Sequence, residues 1–148
     1  MRTIRRILHP SDFSPASRPA FREALEMAKA LRAQLLIVHA LSVLPMIPAG
    51  YMTPDTWDKL ARGQRAVGQR QLNRLLAKAK TAGVRASSLL VDVGVTHEQI
   101  VRVARRKRAD LIVMGTHGRT GLTRALLGSV AARVIATAPC PVLTVHAR

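Results

Sequence analysis

The sequence predicts an α/β fold: an open parallel sheet with helices on both faces. Three observations carry this. Short apolar runs of strand length alternate with longer amphipathic segments from end to end. Two of the runs, "QLLIVHAL" (Gln34–Leu41) and "ADLIVMG" (Ala109–Gly115), are continuous rather than alternating, as in strands covered on both faces. The chain has 148 residues, 48% apolar and 22% charged, which suits one domain with a sizeable core. Residues 1–148 therefore read as a single domain, without internal repeats, low-complexity stretches or a linker.

The elements follow in order. "IRRILHP" (Ile4–Pro10) is a short strand closed by a proline. Ser14 is a good N-cap and Pro15 suits the first helical position, opening a helix whose apolar stripe is Ala20, Leu25, Ala28 and Leu31. Gln34–Leu41 is the second strand. Residues 42–54, with Pro45, Pro48, Gly50 and Pro54, form a loop. Thr53-Pro54-Asp55 starts a long helix to about Ala82, which Gly83 stops; Leu72, Leu75, Leu76 and Ala79 are its apolar stripe. "VRASSLLVDVG" contains the third strand. Thr96 and Gln99 form a capping-box pattern for a helix from about His97 to Lys107. "ADLIVMG" is the fourth strand, a helix spans about Val130 to Thr137, and "PVLTVHA" is the fifth strand.

Ligands of open α/β sheets sit at the carboxyl ends of strands where the chain order reverses. Two such ends stand out, "HPSDFS" after the first strand and "GTHGRTG" after the fourth. Gly115 follows the strand directly, where a missing Cβ admits close approach to the backbone. Gly118 and Gly121 permit positive φ, and consecutive amides in such a turn make an anion-binding nest. Gly128-Ser129 opens the last helix, whose first N–H groups lack internal partners and attract phosphate. Arg119, Thr120, Thr123 and Arg124 add donors nearby. Glycines after a strand also make plain tight turns, so spacing alone supports both readings.

Competing motifs are absent from the sequence. No GK[ST] triplet marks a P-loop, the spacing G-x-x-G-x-x-G is not the dinucleotide G-x-G-x-x-G, and no G-x-S-x-G elbow occurs. The histidines at 9, 39, 97, 117 and 146 do not spell a zinc site, and no metal ligand set is expected from the protein. The single cysteine, Cys140 between Pro139 and Pro141, reads as a small buried hydrophobe and suits a reducing compartment. No apolar run has the length of a signal peptide or a membrane span, so a cytoplasmic protein is expected.

These residues resemble the universal stress protein family over nearly the whole chain. The nucleotide-binding members carry G-x2-G-x9-G-[ST], matched here by Gly115, Gly118, Gly128 and Ser129; "ILHPSDFSPAS", "ADLIVMGTHGRTGL" and "LLGSVAARVIATAPCPVLTVH" match as flanks. The resemblance implies a Rossmann-like sheet of five strands in the order 3-2-1-4-5, a homodimer, and an ATP or other adenine-nucleotide site with Mg²⁺ bound through the phosphates. It implies that Asp12 and the Val38 backbone meet the adenine, with Met114 packed near the base. Pro10 and Gly115 lie by the ribose, and His117, Gly118, Gly128, Ser129 and Val130 hold the phosphates. Two segments depart from the family pattern: "ARRKRA" (104–109) is strongly basic, and residues 41–63 are poorly fixed by the match.

Charge adds a second theme. Lys and Arg number 24 against 8 Asp and Glu, a formal +16, which attracts polyanions. Arg102, Arg105 and Arg106 share one helical face, and Arg70, Arg74 and Lys78 another. The leading expectation is a nucleotide-dependent stress-response or signalling module. The alternatives are a slow ATPase, or a protein binding nucleic acid or an anionic membrane surface through its basic face. No catalytic constellation is visible. Aromatic residues are 3%, too few for stacking platforms, so any nucleic-acid contact is expected to be with phosphates.

Overall fold

The computed structural model describes residues 3–43, 51–117 and 127–147. Five strands, β1 (Arg6–Pro10), β2 (Gln34–Ala40), β3 (Ala86–Val91), β4 (Leu111–Gly115) and β5 (Val142–Val145), form one parallel sheet in the order β3-β2-β1-β4-β5. The helices are α1 (Arg18–Leu31), α2 (Pro54–Thr81), α3 (Thr96–Arg106) and α4 (Ser129–Thr137). The strand order is the one the family resemblance implies, and the helices lie on both faces as the alternating pattern predicts.

Alternate residues along each strand feed two cores. Ile7, Leu35, Ile37, Leu111 and Val113 pack with Phe21 and Ala24 of α1 and Leu72 and Ala79 of α2. Leu8, Val38, Ile112 and Met114 pack with Ile100, Val103 and Ala104 of α3 and Ala131 and Val134 of α4. Helices α1 and α2 therefore cover one face of the sheet and α3 and α4 the other. Half-buried Cys140 packs against the second core rather than being enclosed by it.

Local chemistry corrects several boundaries. Ser14 caps a 3₁₀ turn, Pro15–Ser17, before α1 begins. Pro19 has no N–H to reach the Pro15 carbonyl, and Arg18 N–H bonds it instead in the tighter i→i+3 pattern. Leu31, counted in the apolar stripe of α1, is 46% exposed. Thr53 caps α2 as expected, its oxygen accepting from Thr56 N–H at 3.2 Å. The capping box at α3 does not form: Val95 is the N-cap, and Gln99 donates to the Asp92 carbonyl at 3.4 Å. Helix α4 begins at Ser129 with Gly128 as its N-cap.

Candidate functional site

A cavity of about 290 Å³ opens at the carboxyl ends of β1, β2 and β4. Here β1 is flanked by β2 and β4, and the connections on its two sides run in opposite directions, the place where such sheets bind ligands. Pro10, Asp12, Val38, Met114, Gly115, His117, Gly128, Ser129 and Val130 all line it. Of the residues the resemblance proposes, only Gly118 lies outside the described residues, as do Gly121 and the donors Arg119, Thr120, Thr123 and Arg124.

The floor is apolar: Val38, Ile100 and Met114 are buried members of the second core. Its β2 rim is polar main chain. Ser11 N–H donates to the Val38 carbonyl at 2.8 Å, the last β1–β2 bond. The next acceptor on β1, the Ser11 carbonyl, is taken by His39 Nδ1 at 2.8 Å. In a parallel ladder Ala40 turns its N–H and C=O to the same side as Val38. With β1 already ended, those Ala40 groups face the cavity with no backbone partner on that side among the described residues. Ala40, not Val38, is thus the residue whose main chain stands open at this rim. Unequal strand lengths decide this, and strand ends are not legible in an apolar run.

The loop after β1 is tightly held. Asp12 Oδ1 accepts from Ser14 N–H at 2.9 Å and Ser11 Oγ from Phe13 N–H at 3.1 Å. Phe13 sits at φ 62°, a conformation disfavoured for an aromatic residue, with its ring 4.4 Å from that of His39. Asp12 is the only acid lining the cavity.

At the opposite rim α4 points its amino end into the space. Gly128 supplies no side-chain cap, so the first amides of the helix have no side-chain acceptor among the described residues. Of the two motif glycines among the described residues, Gly128 has a packing reason of its own. A Cβ on Gly128 would stand 2.8 Å from the Thr116 carbonyl, which also accepts Gly128 N–H at 2.7 Å. A Cβ on Gly115 would meet the Ala16 carbonyl at 3.4 Å and Ser17 Cα at 3.8 Å. These are ordinary contact distances, so packing alone does not demand a glycine at this position, which lines the cavity. Thr116 Oγ1 lies 3.0 Å from His117 Nδ1 and 3.3 Å from His146 Nδ1, and His117 Nε2 is buried without a partner.

His9, which sequence reasoning left unassigned, is enclosed behind this loop. Its Nδ1 is 2.9 Å from the Val113 carbonyl and its Nε2 has no partner. Burial lowers its pKa from 6.5 to about 4, against the opposing pull of the Val113 carbonyl and the Asp12 charge. Among the described residues no group of three His, Cys, Asp or Glu could hold a metal, and no helix is long and apolar enough to cross a membrane.

Comparison with known proteins places this geometry. The model of the universal stress protein family matches residues 3–146. A universal stress protein of Methanocaldococcus jannaschii is 38% identical over 141 residues, covering 95% of this chain and 81% of that one. A solved structure of a universal stress protein family member from Burkholderia pseudomallei superimposes with a TM-score of 0.80 at 32% identity, covering 99% of both chains. A universal stress protein solved in complex with cAMP matches with a TM-score of 0.66 at 26% identity, covering 99% of this chain and 100% of that one.

Proposed function

The chain belongs to the universal stress protein family, and we propose that it binds an adenine nucleotide, ATP by preference, in the cavity between β1, β2 and β4. The observation that carries this is main chain open, among the described residues, at both rims: Ala40 on one side, the start of α4 without a side-chain cap on the other. An adenine edge needs one donor and one acceptor side by side, which a strand residue without a neighbour offers. Its faces fit the apolar floor of Val38, Ile100 and Met114. Asp12 and Pro10 border the middle of the cavity, where Asp12 can accept from a ribose hydroxyl. The amides of Ser129 and Val130, the Ser129 hydroxyl and His117 Nε2 serve the phosphates. Mg²⁺ arrives on the phosphates, since the cavity has one carboxylate and no cage. The cAMP complex of a relative supports the class of ligand.

In this reading nucleotide occupancy is the signal, and a slow hydrolysis is the most that the site would catalyse. Asp12 is the one acid lining the cavity, and its Oδ1 is engaged by Ser14 N–H, so no carboxylate stands free to activate water there. A homodimer through β5 completes the proposal. This edge strand is half-buried at all four positions and, among the described residues, pairs with β4 alone.

Calorimetry with ATP, AMP and GTP tests the site. The parent should bind ATP best, and Ser129→Ala should weaken ATP more than AMP. Asp12→Asn should weaken both alike, because it acts on the nucleoside. A hydrogen bond to a charged group contributes about 1.5–3 kcal/mol, so loss of the hydroxyl should cost about tenfold or more in affinity. A parent protein that binds no adenine nucleotide refutes the proposal.

A further inference from the structure

We propose that the amino end of the sheet, opposite the nucleotide cavity, is a docking face for the phosphate backbone of a DNA duplex. The two basic helix faces noted in the sequence do not form one surface, because α2 and α3 cover opposite sides of the sheet. Their carboxyl ends converge at the strand starts. There the register sets Arg85, Arg32, Arg5 and Arg6, and Arg108 across four neighbouring strands. Leu35 N–H bonds the Arg85 carbonyl, Gln34 N–H that of Arg5, and Asp110 N–H that of Arg6. All five arginines are exposed. Four strands at about 4.8 Å spacing make a row about 14 Å long, close to the width of a major groove.

Two of these arginines stand where the backbone does not favour them. Each of the junctions α1–β2, α2–β3 and α3–β4 closes with the same helix stop, in which an N–H reaches back five residues: Ala33 to Ala28, Val84 to Ala79, and Ala109 to Ala104. The residue at the left-handed position is Gly83 in the middle case, at φ 81°, but Arg32 and Arg108 in the other two, both at φ 52°. Glycine closes this turn without strain, as Gly83 demonstrates, so the fold does not ask for arginine there. Cations near helix carboxyl ends do complement the helix dipole. That benefit does not extend to Arg5, Arg6 and Arg85, which introduce strands.

The face is also unusually free of opposing charge. Of the chain's eight acidic residues only Asp110 lies at the strand starts, where its Oδ2 accepts Arg5 N–H at 2.9 Å and Arg6 N–H at 3.0 Å. A depression of about 260 Å³ between Arg6, Gln34, Ser87 and Lys107 gives the row a concave floor. Arginine forks suit phosphate oxygens, and the face carries no aromatic residue to stack on a base. Among the described residues no exposed apolar wedge for lipid stands there beyond Leu31. Duplex DNA, read without regard to sequence, fits this chemistry best.

Fluorescence anisotropy with a labelled DNA duplex at several salt concentrations tests the proposal. Five phosphate contacts predict a slope of log K against log salt of about −4.5, a roughly 500-fold loss between about 50 and 200 mM. The double variant Arg32→Gly/Arg108→Gly should reduce the slope to about −2.7 while keeping its melting temperature. Arg62→Gln/Arg70→Gln, which removes the same charge from exposed positions of α2, should leave the slope near the parent's value. The proposal is overturned if the parent does not bind the duplex at low salt. It is equally overturned if the two double variants weaken binding alike, or if vesicles of anionic phospholipid displace the DNA. None of these readouts depends on the nucleotide cavity, so failure here leaves the calorimetric test of that site standing.

Discussion

Gly128→Ala separates a glycine kept for a ligand from one kept for packing. The added Cβ would lie 2.8 Å from the Thr116 carbonyl oxygen, about half an ångström inside ordinary contact. Neither partner is a flexible side-chain tip. Thr116 is 2% exposed, its N–H donates to the Val145 carbonyl at 3.1 Å, and its carbonyl accepts Gly128 N–H at 2.7 Å. Relief must therefore come from moving the start of α4 or the end of β4. Overpacking of this kind costs about 1–3 kcal/mol. In a chain near 150 residues each kcal/mol shifts the melting temperature by about 2–4 °C, so the variant should melt roughly 3–10 °C lower without ligand. Affinity for ATP should fall as well, because the helix start moves with the glycine. The assay is a thermal melt of ligand-free protein followed by calorimetry. A variant that melts within about 1 °C of the parent yet has lost ATP binding would refute the packing argument and return Gly128 to a purely ligand-facing role.

Further outcomes are expected. His9 refuses a proton in the folded state down to about pH 4, whereas an unfolded histidine takes one up near 6.5. Stability should therefore fall as pH drops from 6.5 toward 4 and be flat in this contribution above 6.5, by at most about 3 kcal/mol. His9→Leu should flatten that slope in urea unfolding series; an unchanged slope would show that other groups set it. Arg32→Gly/Arg108→Gly should match or exceed the parent in melting temperature, since relief of about 1 kcal/mol of strain at each position offsets the added freedom of glycine in the unfolded chain. The β5 edge is best tested with Thr144→Pro. Ile112 N–H bonds the Pro141 carbonyl and Thr116 N–H that of Val145, so the odd-numbered residues face β4 and Thr144 N–H faces outward. A dimer through this edge should dissociate in light scattering, while a Thr144→Pro dimer as tight as the parent's would place the interface elsewhere.

The parts of the fold legible in the sequence are those where burial leaves a period. β2 and β4 are covered on both faces, and their unbroken apolar runs announce it. The start of α2 was legible because a threonine cap, a proline and an acid all favour the same position. The failures have a common cause. At α3 the residues of a capping box are present, but Gln99 finds a carbonyl across the turn and never returns to the cap. At the α1 entrance a second proline, four residues after the first, changes which N–H is available. At the cavity, Val38 and Ala40 have the same side-chain character, and only the point at which β1 ends tells which backbone is open. Each depends on a competing partner distant from the local pattern.

The same topology makes both ends of the sheet receptive to anions, by different means. All strands are parallel, so each intervening helix begins at the carboxyl end of the sheet and finishes at the amino end. Amides and positive helix ends collect around the cavity, where attraction to phosphate comes from fixed main-chain dipoles beside a buried floor. At the opposite end the helix dipoles are negative, and attraction must come from side chains strong enough to reverse that field. Arg5, Arg6, Arg32, Arg85 and Arg108 supply it, two of them at strained positions. Exposed side-chain charge is screened over about 8 Å at physiological salt, whereas partly buried dipoles are screened much less. Raising salt should therefore strip a duplex from the amino end while nucleotide affinity at the carboxyl end changes by far less. One protein sample, titrated with both ligands across the same salt series, would display two slopes if the two ends work by these two mechanisms, and one common slope if a single diffuse positive field accounts for both.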